Sequence, residues 1–150
     1  MQTLATLIDT HGVDVHDHLD RDELIPVHTA TQFQGDVAVL PVTADVPATG
    51  TGYPKPVPTA GIPVVRGENG GNTHLLLTGT TATTGAATPA VTWDPSTGGP
   101  TNLDLGVLTV PTDTTAWLAH PEHGYLGIGP GRYVIRRQRE QADEIRLVAD

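Results

Sequence analysis

Leu118-Ala119-His120-Pro121-Glu122-His123-Gly124-Tyr125-Leu126-Gly127-Ile128-Gly129-Pro130-Gly131-Arg132-Tyr133-Val134-Ile135-Arg136-Arg137-Gln138-Arg139-Glu140 is the most strongly patterned stretch of the chain. Tyr125 and Ile128 on one side of Gly129-Pro130-Gly131, and Tyr133 and Ile135 on the other, are residues that favour extended backbone. The Gly-Pro-Gly between them cannot continue a helix. Two strands joined by a turn are expected. The same stretch carries two of the seven histidines, a glutamate between them, and a group of arginines in a chain of net charge −9.

Composition extends this reading outward. At 150 residues one compact core is expected, and 17 glycines with 13 prolines interrupt a body rich in Thr and Val, the pattern of many short strands joined by turns. The absence of cysteine excludes a disulfide framework and thiolate-bound zinc, so a metal would need His, Asp, Glu or Asn. No run of eighteen apolar residues exists, and the first residues lack a basic flank with an apolar core, so neither a membrane span nor an export signal is expected. The negative charge argues against a general embrace of nucleic acid or anionic lipid.

At the start of the chain, Leu4, Leu7 and Ile8 have helical spacing, and His11-Gly12 is a natural stop. Asp14, Asp17, Asp20, Asp22 and Glu23 then form an acidic run, read as a solvated arm or one that docks on a neighbouring subunit. Residues 1–33 are accordingly expected to form an acidic arm and 34–150 a β domain. Strands are expected over Gln34–Val42, Ile62–Arg66, Thr73–Thr78, Ala90–Trp93, Leu103–Val110 and Thr114–Leu118, with Asp94–Pro100 a turn and Thr43–Ala60 an extended connection or edge. Val37, Val39, Leu75, Leu77, Leu118, Ile128 and Ile135 are expected to share one core. Residues 142–148 suit a terminal helical turn. The fold class is all-β, a single-domain cupin-like barrel or β-sandwich with an N-terminal arm containing a short helix.

Gln34-Gly35-Asp36-Val37, Gly67-Glu68 followed by a glycine-containing loop and His74, and His120-Pro121-Glu122-His123 running on through Pro130-Gly131-Arg132-Tyr133 and Arg137-Gln138-Arg139-Glu140 together resemble a family of small bacterial and phage proteins that look cupin-like. The resemblance runs from Gln34 to the end of the chain. Members usually carry His-x-His in the second block, where this chain has Asn72 and His74. No function comes with the resemblance.

A cupin-like fold can gather histidines from separate strands around a divalent metal, here His74, His120 and His123 with Glu68 or Glu122. His120 and His123 are three apart, which in a regular strand sets them on opposite faces, so only a bulge or turn at Pro121 would let both meet His74. The alternative use is structural, with His120 and His123 bonding backbone groups at a strand corner. His16 and His18 give a weaker two-residue signal. Ser96, the single serine, has no nucleophile elbow around it, and Gly67-Glu68-Asn69-Gly70-Gly71 lacks the Lys and hydroxyl of a phosphate loop.

These features favour a structural or interaction protein without cofactor, exemplified by a minor capsid or decoration protein of a phage particle, over an enzyme. Its partners would be itself or a major capsid protein, without nucleic acid or membrane. Asp14, Asp17 and Asp20 are the candidate contacts at one end, and Arg136, Arg137 and Arg139 at the other. The alternative is a metal-binding cupin-like enzyme or sensor in the bacterial cytoplasm, using His74, His120 and His123.

Overall fold

The computed structural model describes residues 2–48, 50–65, 73–79, 90–96 and 103–138. Strands β1 (Gln2–Thr3) and β2 (Leu24–Ile25) pair with each other and close a loop of chain around helix α1 (Leu4–His11). The body begins with β3 (Val27–His28), β4 (Gln32–Gln34), β5 (Val37–Pro41), β6 (Lys55–Pro56) and β7 (Ile62–Val65). It continues with β8 (His74–Thr78), β9 (Thr92–Pro95), β10 (Asp104–Val110), β11 (Ala116–His120), β12 (Gly124–Ile128) and β13 (Gly131–Arg137). One sheet has the order β4-β5-β13-β10-β9-β6 and the other β3-β12-β11-β8-β7. Pairing is antiparallel except between β3 and β12. Each sheet ends in an edge strand, so the all-β expectation resolves to an open sandwich and not a closed barrel.

Alternation along the strands builds the interior. Val37 and Val39 of β5, Tyr133 and Ile135 of β13, Leu108 and Val110 of β10, and Trp93 of β9 meet Leu76, Ala116, Leu118 and Ile128 from the opposite sheet. Gly129-Pro130-Gly131 does separate two strands, but β12 and β13 belong to different sheets, so the turn carries the chain from one layer to the other. Tyr133 fixes that crossing by donating its hydroxyl to Gly129 O at 2.7 Å.

On β8 the expected phase is corrected. Leu76 enters the central core, while Leu77 is buried and Leu75 half-buried on the opposite face. Three consecutive leucines carry no polar alternation, because both faces of β8 are covered: one by the second sheet, the other by α1.

That second cover also corrects the reading of residues 14–23 as a solvated arm. Leu4, Leu7, Val15 and Ile25 pack on Leu77, Trp117, Ala119 and Tyr125. Thr3 caps α1 by accepting from Thr6 N at 3.2 Å, and Gly12 ends it at φ 76°, donating its N–H to Ile8 O at 2.8 Å. Tyr125 Oη donates to Val13 O at 2.8 Å. The charges hid an apolar minority, Val13, Val15 and Leu19, that supplies the contact.

The expected turn at Asp94 is also corrected, since β9 continues through Asp94 and Pro95. Asp94 is buried there and accepts from Thr51 N and Gly52 N, both at 2.8 Å, and from the Thr51 hydroxyl. It thereby anchors the Pro-rich connection. Glu68, Asn72, Arg139 and the expected helical turn at 142–148 lie outside the described residues.

Candidate functional site

The histidines gather at one end of the sandwich. His74 begins β8 in phase with Leu76, so its ring enters the space between the sheets. His120 ends β11 in phase with Leu118. Residues 121–123 turn the chain into β12, and Gly124 at φ 85° takes the left-handed conformation common after a three-residue hairpin loop. This turn is what brings His123 back beside His120. Ring centroids are 4.4 Å apart for His74 and His120, 4.5 Å for His120 and His123, and 6.4 Å for His74 and His123.

Gln34, the last residue of β4, and Asp36, in the β4–β5 turn, complete the site. Gln34 is buried, and its Nε2 donates to Leu118 O at 2.9 Å and Gly124 O at 3.1 Å. Those two carbonyls fix the amide orientation, so Oε1 is the atom that faces His74 Nδ1 at 2.9 Å. On the other side of the ring, Asp36 Oδ1 stands 3.3 Å from His74 Nε2. A neutral imidazole has one N–H, yet His74 has an acceptor at each nitrogen. Whichever tautomer forms, one lone pair faces another. Only the imidazolium satisfies both contacts, while burial opposes that charge and pulls the His74 pKa below 6.5 against the upward effect of Asp36.

His120 has the opposite arrangement. Its Nδ1 accepts from the N–H groups of Glu122 at 3.1 Å and His123 at 3.2 Å, so the neutral ring serves as the cap of the 121–123 turn. Burial first, then the neighbouring His74 and His123, lower its pKa to about 4. The structural use of His120 at a strand corner is therefore present in the geometry.

The expected metal set fits poorly. A zinc-like ion needs lone pairs converging on one point at about 2.0–2.1 Å. Here the rings lie against one another with tilts of 40° and 32°, and His120 Nδ1 is taken by backbone amides. Among the described residues no group of three His, Cys, Asp or Glu is placed to hold a metal ion. His16 and His18 sit edge to face at 5.9 Å in the N-terminal loop, and His16 N donates to Pro121 O at 2.7 Å in the turn between His120 and His123.

The partner candidates are distributed differently from the expectation. Asp14 and Asp17 lie 3.6 and 3.9 Å from Arg21, whose guanidinium also donates to the carbonyls of Val15, His16 and Leu19. Asp20 accepts from Asp22 N at 2.9 Å. Arg136 is engaged by Asp104 across β13 and β10, and Arg137 is exposed at the end of β13. Arg21 went unnoticed in the sequence because it is a single cation inside an acidic run.

An open groove of about 370 Å³ adjoins the cluster, lined by Ile25, Pro26, His28, Phe33, His123 and Tyr125 among others. It lies where β3 and β4, edge strands of the two sheets, leave the sandwich. Gln34, Gly35 and His123 belong to both groove and cluster. Gly35 at φ 58° makes the tight turn, and a Cβ there would stand 2.7 Å from His123 Nε2.

The fold and site together define an all-β sandwich with a packed histidine cluster at one end. A family model described as a domain of unknown function (DUF8820) matches residues 33–138, and the chain belongs to that family. The match contains the whole cluster and leaves α1 outside it. No curated protein and no solved structure matches the chain.

Proposed function

We propose that this chain is a structural or interaction protein working through protein–protein contacts, and, more finely, a minor capsid or decoration protein of a phage particle located in the virion. The observation that carries the reading is the placement of its large apolar side chains: Leu24, Val27, Phe33 and Tyr53 are exposed in a chain that buries most of the others. The low-charge Thr- and Gly-rich body and the resemblance to small cupin-like phage and bacterial proteins support the finer statement. The partner would be a major capsid protein or further copies of the chain. Purified particles from the encoding source should contain the chain in fixed stoichiometry by mass spectrometry. Recovery only as free, monomeric chain would sink the proposal.

The alternative of a metal-dependent cupin-like enzyme or sensor has in its favour that His74, His120 and His123 do meet. It has against it the tilted packing of the rings on one another and the use of His120 Nδ1 by backbone amides. Elemental analysis of purified protein tests it directly: one equivalent of metal, lost in His74→Ala, would favour it over the assembly reading.

A further inference from the structure

We infer that the free edge of β4 pairs antiparallel with the β4 of a second copy, about a two-fold axis at Phe33, so that two six-stranded sheets join into one. This rests on the interaction reading above and names the surface and the partner. Among the described residues the sandwich has four edge strands, β4, β6, β3 and β7. Of these, β6 contains Pro56, β7 contains Pro63 and β3 directly follows Pro26. Proline has no N–H to offer an incoming strand, and it guards edges for that reason. No proline lies in β4, and from Leu24 to Gly35 the chain has no Lys, Arg, Asp or Glu. The β4 edge therefore lacks both of the usual guards.

Hydrogen-bond alternation decides which way the backbone of β4 faces. Asp36 O accepts from Gln138 N at 2.6 Å and Val42 N donates to Arg132 O at 2.9 Å, so the even positions along β5 turn their polar groups toward β13. Val37 and Val39 then turn toward β4, where they pair with Gln34 and Gln32. Phe33 lies between those two, opposite Ala38, so its N–H and C=O point away from β5 to the open edge. The side chains are already in place for pairing. Gln32 Nε2 donates to Gly127 O at 2.8 Å, and Gln34 Nε2 to Leu118 O and Gly124 O, which holds both amides on the inner face. Phe33 stands on the outer face and is 57% exposed. Gln32-Phe33-Gln34 also reads the same in both directions. In an antiparallel pair centred on Phe33, each Gln32 faces the Gln34 of the other copy. The two Phe33 residues exchange both N–H···O bonds, and their rings meet as a cross-strand pair. A palindromic strand without charge matches its own copy at every position, which selects a second copy as the occupant. Each molecule carries −9 overall, but the pairing sets no like charges opposite one another along β4.

The test uses the full chain. Sedimentation equilibrium and amide NMR over a concentration series should show a weak dimer with shifts centred on Phe33, and it should tighten as salt screens the two negative molecules. A mixture of isotopically labelled and unlabelled chains should give contacts between the two Phe33 rings. Phe33→Lys sets two cations across the axis and should weaken dimerisation about tenfold or more, while Phe33→Tyr keeps the aromatic pair and should dimerise like wild type. Because Phe33 is exposed, both variants should melt as wild type does, and the mixed-label contacts decide the matter without any variant. A chain that stays monomeric up to about 1 mM in high salt, a dimer that Phe33→Lys leaves intact, or contacts that map to another edge would overturn the inference. So would a dimer that weakens as salt rises, because ion pairs would then be holding it. Particles that contain the chain although it never pairs through β4 would overturn this inference and leave the assembly reading intact. A β4 dimer formed by a chain absent from every particle would do the reverse.

Discussion

Two buried polar sites tie loops to this sandwich, and they satisfy their hydrogen bonds in opposite ways. At Asp94, one carboxylate receives the N–H groups of Thr51 and Gly52 and the Thr51 hydroxyl. Burial pushes its pKa up, but those donors outweigh it and hold it below 3.8. At His74, one ring has acceptors on both sides and, when neutral, a single proton to offer. The first site is complete in its ordinary charge state and acts as a fixed anchor. The second is complete only in the charge state that burial opposes, so its protonation is poised.

The largest effect should come from breaking the complete site. Asp94→Ala leaves two backbone donors and a hydroxyl facing an apolar methyl, and should cost about 3 kcal/mol in denaturant unfolding. Its pH signature follows from the lowered pKa: the stabilisation is present above the ordinary carboxylate value of 3.8 and disappears as pH falls through the folded value. Asp94→Ala should lack that acid-side loss. If wild type and variant unfold alike across this range, the anchor is not where the loop is held.

Gln34→Ala should cost somewhat less, about 2 kcal/mol, because Leu118 O and Gly124 O lose a donor at strand positions. Gln34→Glu separates tying from tuning. The carboxylate cannot donate to those carbonyls, so stability should still fall, yet it should raise the His74 pKa by favouring the imidazolium. Histidine titration by NMR reads this. A lowered His74 pKa in Gln34→Glu would contradict the assigned contact.

Acid should distinguish the two sites, with the histidine cluster responding at a higher pH than Asp94 does. His120, lowered to about 4, and His74, also lowered, are neutral in the fold but take protons near 6.5 when unfolded. The unfolded state then binds more protons, so their contribution to stability is full above about 6.5 and is lost as pH drops toward 4. His120→Asn should flatten that slope in unfolding free energy. A stability that rises on acidification between those values would reverse the sign and refute the neutral cluster.

How much of this was legible depended on whether the polar partner was local. His11-Gly12 announced the end of α1, and Gly129-Pro130-Gly131 announced a turn, because glycine and proline act through their own backbone. The meeting of His120 with His123 was legible as a condition, a turn at Pro121, and the turn is there. Leu75-Leu76-Leu77 could not reveal its phase, since burial on both faces erases alternation. Asp94 looked like turn punctuation because its donors lie more than forty positions earlier. Gln34 and Asp36 were visible as part of a motif, but not as site residues. The available signal was a polar side chain at Gln34, in phase with Gln32 and flanking a tight Gly turn.

The smallest expected effect is the sharpest test of the unfinished site. Asp36→Asn keeps the shape of the side chain but supplies an N–H where a carboxylate oxygen now faces His74 Nε2 at 3.3 Å. The neutral ring would then donate from Nδ1 to Gln34 Oε1 and accept at Nε2 from the new amide, so neither contact would oppose lone pairs. Loss of the carboxylate also removes the main attraction holding the His74 pKa up against burial. Both changes point the same way, toward a lower His74 pKa in Asp36→Asn. The Asp36 side chain is more than half exposed, so water already screens it and the gain at neutral pH should be only a few tenths of a kcal/mol. NMR titration of the His74 ring carbons should show the downward shift, with the Nδ1-protonated tautomer present at high pH in Asp36→Asn. An upward shift, or a neutral ring protonated at Nε2 in Asp36→Asn, would mean that Gln34 and Asp36 do not compete for this ring.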